Sequence, residues 1–180
     1  FKSGKLKEAD ALFAEIAADI TQKELYNDAV LQRGEIAYRE KRYKNAQGFY
    51  TAAAKTDSPR AERALYMTGW CARQLKDQAA AGAAFKAVLK RYPSGEFAVD
   101  AAIRLAEAMN GAGDHAGAAT ALKEILKTQA KSGDEPPEEL LHVYSDALVA
   151  QKEWKTLLGV CERLSRTYPK SELAYRVSFR

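Results

Sequence analysis

Histidine, cysteine, methionine and tryptophan each occur only twice in this chain of 180 residues, and proline only five times. His115 and His142 lie 27 positions apart, and neither Cys71 nor Cys161 belongs to a Cys-x-x-Cys pair or sits near a histidine at metal-binding spacing. The histidines therefore read as surface or boundary residues rather than ligands, and the cysteines as small core hydrophobes. A phosphate loop, a Gly-x-Ser-x-Gly turn and a metal-spaced carboxylate cluster are missing too. Catalysis finds no foothold, and no enzyme, cofactor or metal is expected. Nothing approaches the roughly 18 apolar residues that a membrane-crossing helix needs, and no signal-peptide pattern opens the chain, so direct membrane insertion is not expected. The chain starts at Phe1 without an initiator methionine and enters helical sequence at once, which reads as a piece of a longer protein.

A surplus of one charge is also lacking. The 28 basic and 24 acidic residues leave a formal charge of +4, with both signs mixed along the chain. A nucleic-acid binder concentrates Lys and Arg on one face or in one tract, and no such block is present, so no nucleic-acid partner is expected. Val, Ile and Thr together number 20 against 34 alanines. That imbalance disfavours sheet and favours helix, because alanine loses no side-chain entropy there.

What is present is a repeat. Ala9, Ala46, Ala81, Ala118 and Leu157 fall into register with steps of 37, 35, 37 and 39 residues, a period that signals a solenoid. Four residues after each anchor comes a larger side chain (Phe13, Tyr50, Phe85, Leu122, Cys161), and three further on another apolar or small one (Ile16, Ala53, Val88, Ile125, Leu164). These offsets place all three on one helical face. Twelve residues before the last four anchors stands a small residue, Gly34, Gly69, Ala106 or Ser145, in a second helical segment. Short polar turns join the two segments at residues 41–43, 76–78, 113–115 and 152–154, as suits antiparallel neighbours.

The pattern predicts helices over 5–20, 24–40, 43–56, 60–75, 78–91, 96–111, 115–131, 136–151, 154–167 and 172–179. The whole of 1–180 then forms a single array: a half repeat over 1–23, full repeats over 24–58, 59–94, 95–131 and 136–170, and the start of a further repeat at 171–180. Both end helices should expose apolar surface and could support self-association. Residues 131–137 form an exposed loop, with Pro136 pre-set for the first turn of the following helix. Cys71 and Cys161, two repeats apart, lie beyond the roughly 7 Å that a disulfide spans, and are expected reduced.

These residues resemble the tetratricopeptide repeat family, whose motif has a small residue in the first helix, Gly-x-Tyr at the turn, then Ala, an aromatic, Ala and finally Pro. The third repeat matches best, through Gly69, Ala81, Phe85, Val88 and Pro93; the fifth, with Leu157 and Cys161, matches least. The resemblance implies an all-α, right-handed superhelical solenoid of antiparallel helix hairpins. The long steps and the turns Arg91-Tyr92-Pro93-Ser94 and Thr167-Tyr168-Pro169-Lys170-Ser171 are similar to a bacterial cell-envelope subgroup, which implies a periplasmic or envelope-associated location, with a cytoplasmic one as the alternative. Those turns also have a local logic, since proline stops one helix and serine caps the next.

In that family the first helix of each hairpin lines a concave groove. Carried over by position, the resemblance implies a partner-binding groove of Leu31, Glu35, Tyr38, Arg39, Arg63, Tyr66, Trp70, Arg73, Ile103 and Glu107. Tyr66, Trp70 and Arg73, four and three residues apart, share a helical face and are residue types enriched at binding hot spots. The competing reading is that Trp70 fills the seam between hairpins with Arg73 lying over it. The Lys and Asn clamp with which some members hold a terminal carboxylate is missing, so the expected partner is a protein segment of mixed charge with an apolar anchor. The expected function is thus a protein-interaction scaffold within a bacterial envelope assembly. A nucleic-acid-associated solenoid and the non-catalytic arm of a larger enzyme stay open as alternatives.

Overall fold

Alanine-rich segments with one apolar face and polar turns between them can satisfy their backbone only as helices. In the computed structural model, which describes residues 2–19, 23–56 and 58–171, all regular structure is helical. The helices are α1 (Lys2–Ile16), α2 (Lys23–Arg39), α3 (Tyr43–Ala54), α4 (Ala61–Gln74), α5 (Gln78–Arg91), α6 (Ala98–Gly111), α7 (His115–Ser132), α8 (Glu138–Gln151) and α9 (Trp154–Thr167). The helix expected over 172–179 lies outside the described residues. Among the described residues no helix is long and apolar enough to cross a membrane.

Where helix ends depart from expectation, local hydrogen bonding accounts for it. α1 stops at Ile16 because the N–H groups of Ala18 and Asp19 turn to the carbonyls three residues back, each at 3.2 Å, a tightened last turn. α3 stops at Ala54, where the Thr56 hydroxyl donates to the Ala53 carbonyl at 2.7 Å and Arg91 donates to the Ala54 and Thr56 carbonyls. A cation on the orphan carbonyls of a helix end is favourable in charge as well. Pro136 does not enter the first turn of α8. Pro137, which follows it, bars the helical region to Pro136 and is itself the extended N-cap, at φ −61° and ψ 149°. Ser94 does not supply the cap after Pro93: the Phe97 N–H donates instead to Glu62 Oε1 at 2.8 Å.

Each hairpin closes with one turn. Arg42, Asp77, Asp114 and Glu153 donate their N–H to the carbonyl five residues back at 2.8, 2.9, 2.8 and 3.0 Å. The residue before each lies in the left-handed region: Lys41 at φ 60°, Lys76 at 62°, Gly113 at 83° and Lys152 at 59°. This is a Schellman closure, and its left-handed position suits glycine best. The second helix then starts at once, with Asp77 and Asp114 each accepting an N–H from three residues on at 2.9 Å.

The chain divides into two compact units, Phe1–Phe97 and Ala98–Arg180. In the N-terminal unit α1 to α5 pack in sequence around Val30, Leu31, Ala46, Tyr50, Ala53 and Cys71. The facing positions fit because Gly34 and Gly69 have no side chain: a Cβ there would meet the Tyr50 ring at 2.8 Å and the Phe85 ring at 2.7 Å. Ile16, assigned to the inward face of α1, is 40% exposed. α1 packs mainly on α2, and one neighbour cannot cover a whole apolar stripe. In the C-terminal unit α6 packs on α7 and α8, and α9 on α8, around Leu105, Ala106, Leu122, Leu140, Leu141 and Leu164. Both cysteines are free thiols, each buried in its own unit.

Candidate functional site

In the N-terminal unit the successive first helices α2 and α4 leave a cleft of about 490 Å³ between them. Four of the expected groove residues line it, Leu31, Glu35, Arg39 and Arg63, together with Gln32, Ile36, Pro59, Arg60, Glu62, Glu96 and Phe97. Leu31 and Ile36, 3% and 6% exposed, form its floor. The rim is braced by ion pairs between successive repeats, Arg60 with Asp28 at 2.6 Å and Arg63 with Glu35 at 2.9 Å. Between exposed groups such pairs stabilise little, but they orient the side chains that make the wall. Arg39 is exposed and has no carboxylate partner among the described residues.

Tyr66, Trp70 and Arg73 do come together, but the cleft lining does not include them. Tyr66 stacks on Phe97 with ring centroids 4.7 Å apart, meets Trp70 edge-on at 6.2 Å and leans on Phe85 at 5.9 Å. Trp70 also meets the Phe85 ring at 6.4 Å, and the Arg73 guanidinium lies 4.9 Å over the Trp70 ring. The half-buried Tyr66 and Trp70 thus belong to a packed aromatic cluster that holds Phe97 in the cleft wall. Tyr38 packs edge-on against Tyr43 at 5.3 Å, and burial pushes its phenol above the ordinary range.

In the C-terminal unit Ile103 is buried in the core, 2% exposed. Glu107 belongs to a knot around Arg104, whose guanidinium meets Glu107 at 2.8 Å, Asp100 at 3.1 Å and Glu139 at 2.7 Å. Burial works against the charge of Arg104, but the three carboxylates outweigh it and hold the guanidinium firmly protonated. His142 meets Glu138 at 3.1 Å and the buried Ser171 hydroxyl at 3.2 Å, which ties Ser171 to α8.

Sequence reasoning missed the other lining residues, Arg60, Glu62, Glu96 and Phe97 among them. Glu62 fills the notch that Gly95 leaves open, where a Cβ would stand 2.1 Å from its Oε1, and from there it accepts the Phe97 N–H. The available signal was Gly95 two residues after Pro93 and two before an aromatic, a turn that brings backbone close to another chain segment.

The tetratricopeptide repeat family model matches residues 31–96 and 83–135. No curated protein matches the chain. Among solved structures, the chain is similar to YrrB, described as a TPR protein with an unusual peptide-binding site, at 13% identity over 99% of this chain and 86% of that one, TM-score 0.66. It is also similar to PilF of Pseudomonas aeruginosa, at 17% identity over 96% and 81% of the two chains, TM-score 0.62. A third is PilW, a widely conserved type IV pilus biogenesis factor, at 17% identity over 93% and 82%, TM-score 0.60. Those likenesses speak for the helical fold, and the family model spans more than half of the chain: it belongs to the tetratricopeptide repeat family.

Proposed function

We propose that this chain is a protein-interaction scaffold that holds a partner peptide or helix in the cleft of its N-terminal unit. The observation that carries this reading is the cleft itself: an apolar floor of Leu31 and Ile36, a Phe97 wall, and arginines already set in place on its rim. A partner would then pay the ordering entropy mainly on its own side. Expected groove residues that lie elsewhere take supporting roles, with Tyr66 stacked on Phe97, Trp70 backing Tyr66, Arg73 lying over Trp70 and Glu107 in the Arg104 knot. A setting in a bacterial envelope assembly is part of the proposal, supported by the two Tyr-Pro turns and by the similarity to PilW, a type IV pilus biogenesis factor. The test is selection of binders from a displayed random-peptide library, followed by titration against the intact chain and Arg39→Glu. Arg39 is exposed and has no carboxylate partner among the described residues, so its replacement should leave the fold alone. Affinity should fall about tenfold in the variant. Selected peptides that bind both proteins equally would sink the cleft reading. If affinity instead collapses by orders of magnitude between low and moderate salt, and oligonucleotides compete, the nucleic-acid alternative gains.

A further inference from the structure

The formal charge of the cleft conceals a preference. Its lining holds three arginines, Arg39, Arg60 and Arg63, and three glutamates, Glu35, Glu62 and Glu96, which cancel in a simple sum. Exposure sorts them. All three arginines are exposed, the side chains of Arg60 and Arg63 at 52% each. Among the described residues Arg60 pairs only through Nη1 and Arg63 only through Nη2, so each guanidinium has further N–H donors to offer, and Arg39 has no carboxylate partner. The glutamates are mostly withdrawn. Glu35 is 19% exposed and committed to Arg63, and Glu62 lies in the Gly95 notch with the Phe97 N–H on its Oε1. Glu96 alone is an exposed anion.

Resting on the interaction reading above, we propose that the occupant of this cleft is an acidic peptide segment. Its carboxylates would meet Arg39, Arg60 and Arg63, and one aliphatic or aromatic side chain would pack on Phe97, above the nearly covered Leu31 and Ile36. Guanidinium groups suit this task because their planar forks bind carboxylates in pairs of charge-assisted hydrogen bonds. A basic segment would meet only Glu96 without cost. To use Glu35 it must displace Arg63, and to use Glu62 it must strip the acceptor from the Phe97 N–H and loosen the wall of the cleft.

The experiment is fluorescence anisotropy with the intact chain and three labelled synthetic peptides of one design. In the first, glutamates flank a central Leu-Phe pair; in the second and third, glutamine and lysine replace the glutamates. An oligothymidylate serves as the phosphate probe. Two variants are compared, Arg39→Glu in the cleft and Arg166→Glu on the exposed surface of α9, which change the net charge equally. The glutamate peptide should bind at least about tenfold more tightly than the other two, weaken about tenfold in Arg39→Glu and stay unchanged in Arg166→Glu. Equal or tighter binding of the glutamine or lysine peptide, weakened by Arg39→Glu, overturns the acidic preference while leaving the peptide-binding cleft intact. Tighter binding of oligothymidylate, weakened alike in both variants, overturns it in favour of diffuse phosphate attraction. If none of the three peptides binds, both this proposal and the reading it rests on fail.

Discussion

Across the four hairpins, the small residue of the first helix and the large residue sixteen positions later vary together: Gly34 with Tyr50, Gly69 with Phe85, Ala106 with Leu122, Ser145 with Cys161. The two aromatic residues go with glycine and the two smaller ones with alanine and serine, and all eight are buried. At Gly34 and Gly69, where the ring lies directly against the glycine, constant volume at a close helix contact explains this, since interiors tolerate volume-conserving exchanges best. Gly69→Ala should therefore destabilise the protein, because overpacking costs about 1–3 kcal/mol and the roughly 1 kcal/mol that alanine gains in helix propensity offsets only part of it. Gly48, exposed on α3 with nothing within 4 Å of a Cβ, supplies the contrast: Gly48→Ala should stabilise by about 0.5–1 kcal/mol. Urea midpoints decide both signs. Combining Gly69→Ala with Phe85→Leu should cost less than the two changes summed, and strict additivity would show that the pair is not coupled. Cys71 makes a second prediction at this scale. Burial, reinforced by the charge of Glu35, pushes its thiol from the ordinary 9.0 to about 12. The unfolded thiol thus loses its proton first, so its stabilising effect is complete below pH 9 and is lost as pH rises toward about 12. Cys71 should resist alkylation in the folded protein at pH 8, and Cys71→Ala should soften the onset of alkaline unfolding above pH 9. Rapid native labelling would contradict the burial.

The unit that repeats at the scale of elements is the closing turn, and here the chain departs from its best local choice. Three of the four left-handed positions carry lysine, where a side chain costs about 1 kcal/mol or more relative to glycine; only Gly113 avoids the strain. Lys76→Gly should raise the unfolding midpoint by the equivalent of about 1 kcal/mol, and Gly113→Lys should lower it by a similar amount. Neither lysine nor glycine changes should alter helix content measured by circular dichroism, since the Schellman hydrogen bonds are backbone to backbone. The N-caps follow a similar division. Asp77 and Asp114 cap α5 and α7, whereas Arg42 and Glu153 make no side-chain cap bond, so Glu153→Asp should stabilise α9 by up to about 1 kcal/mol. These turns were legible in the sequence as short polar connections, and α5 and α9 begin and end where periodicity places them. The left-handed lysines were not legible, because a polar residue in a turn carries no mark of its backbone sign. The order of Pro136 and Pro137 misled for a related reason: either proline alone could open a helix, and only their succession excludes the first.

For the molecule as a whole, repeat register sufficed to identify stacked helix hairpins, because four positions recurring with nearly constant offsets leave few other folds. The cleft was legible only in part. Leu31, Glu35, Arg39 and Arg63 follow from the face that first helices present, but Arg60, Glu62, Glu96 and Phe97 come from helix starts and a loop, which periodicity does not reach. Ile103 shares the register of Leu31 and Tyr66 and lies in the core of the C-terminal unit, since register alone does not separate a groove lining from a core position. Charge counting hid the acidic preference because exposure, not number, decides which charges a partner meets. The division at Phe97 was not visible in a series of similar steps, and it makes a last prediction. Each unit closes its own apolar core, and the stability of repeat arrays resides in nearest-neighbour contacts, so a core defect should act locally before it acts globally. In native-state hydrogen exchange at low denaturant, Gly69→Ala should speed exchange of amides in α4, α5 and their neighbours α2 and α3, while protection in α7 and α8 stays within error of the parent. Equal loss of protection in all these helices would mean that the two cores open as one cooperative block, and the division at Phe97 would then describe geometry without energetic meaning.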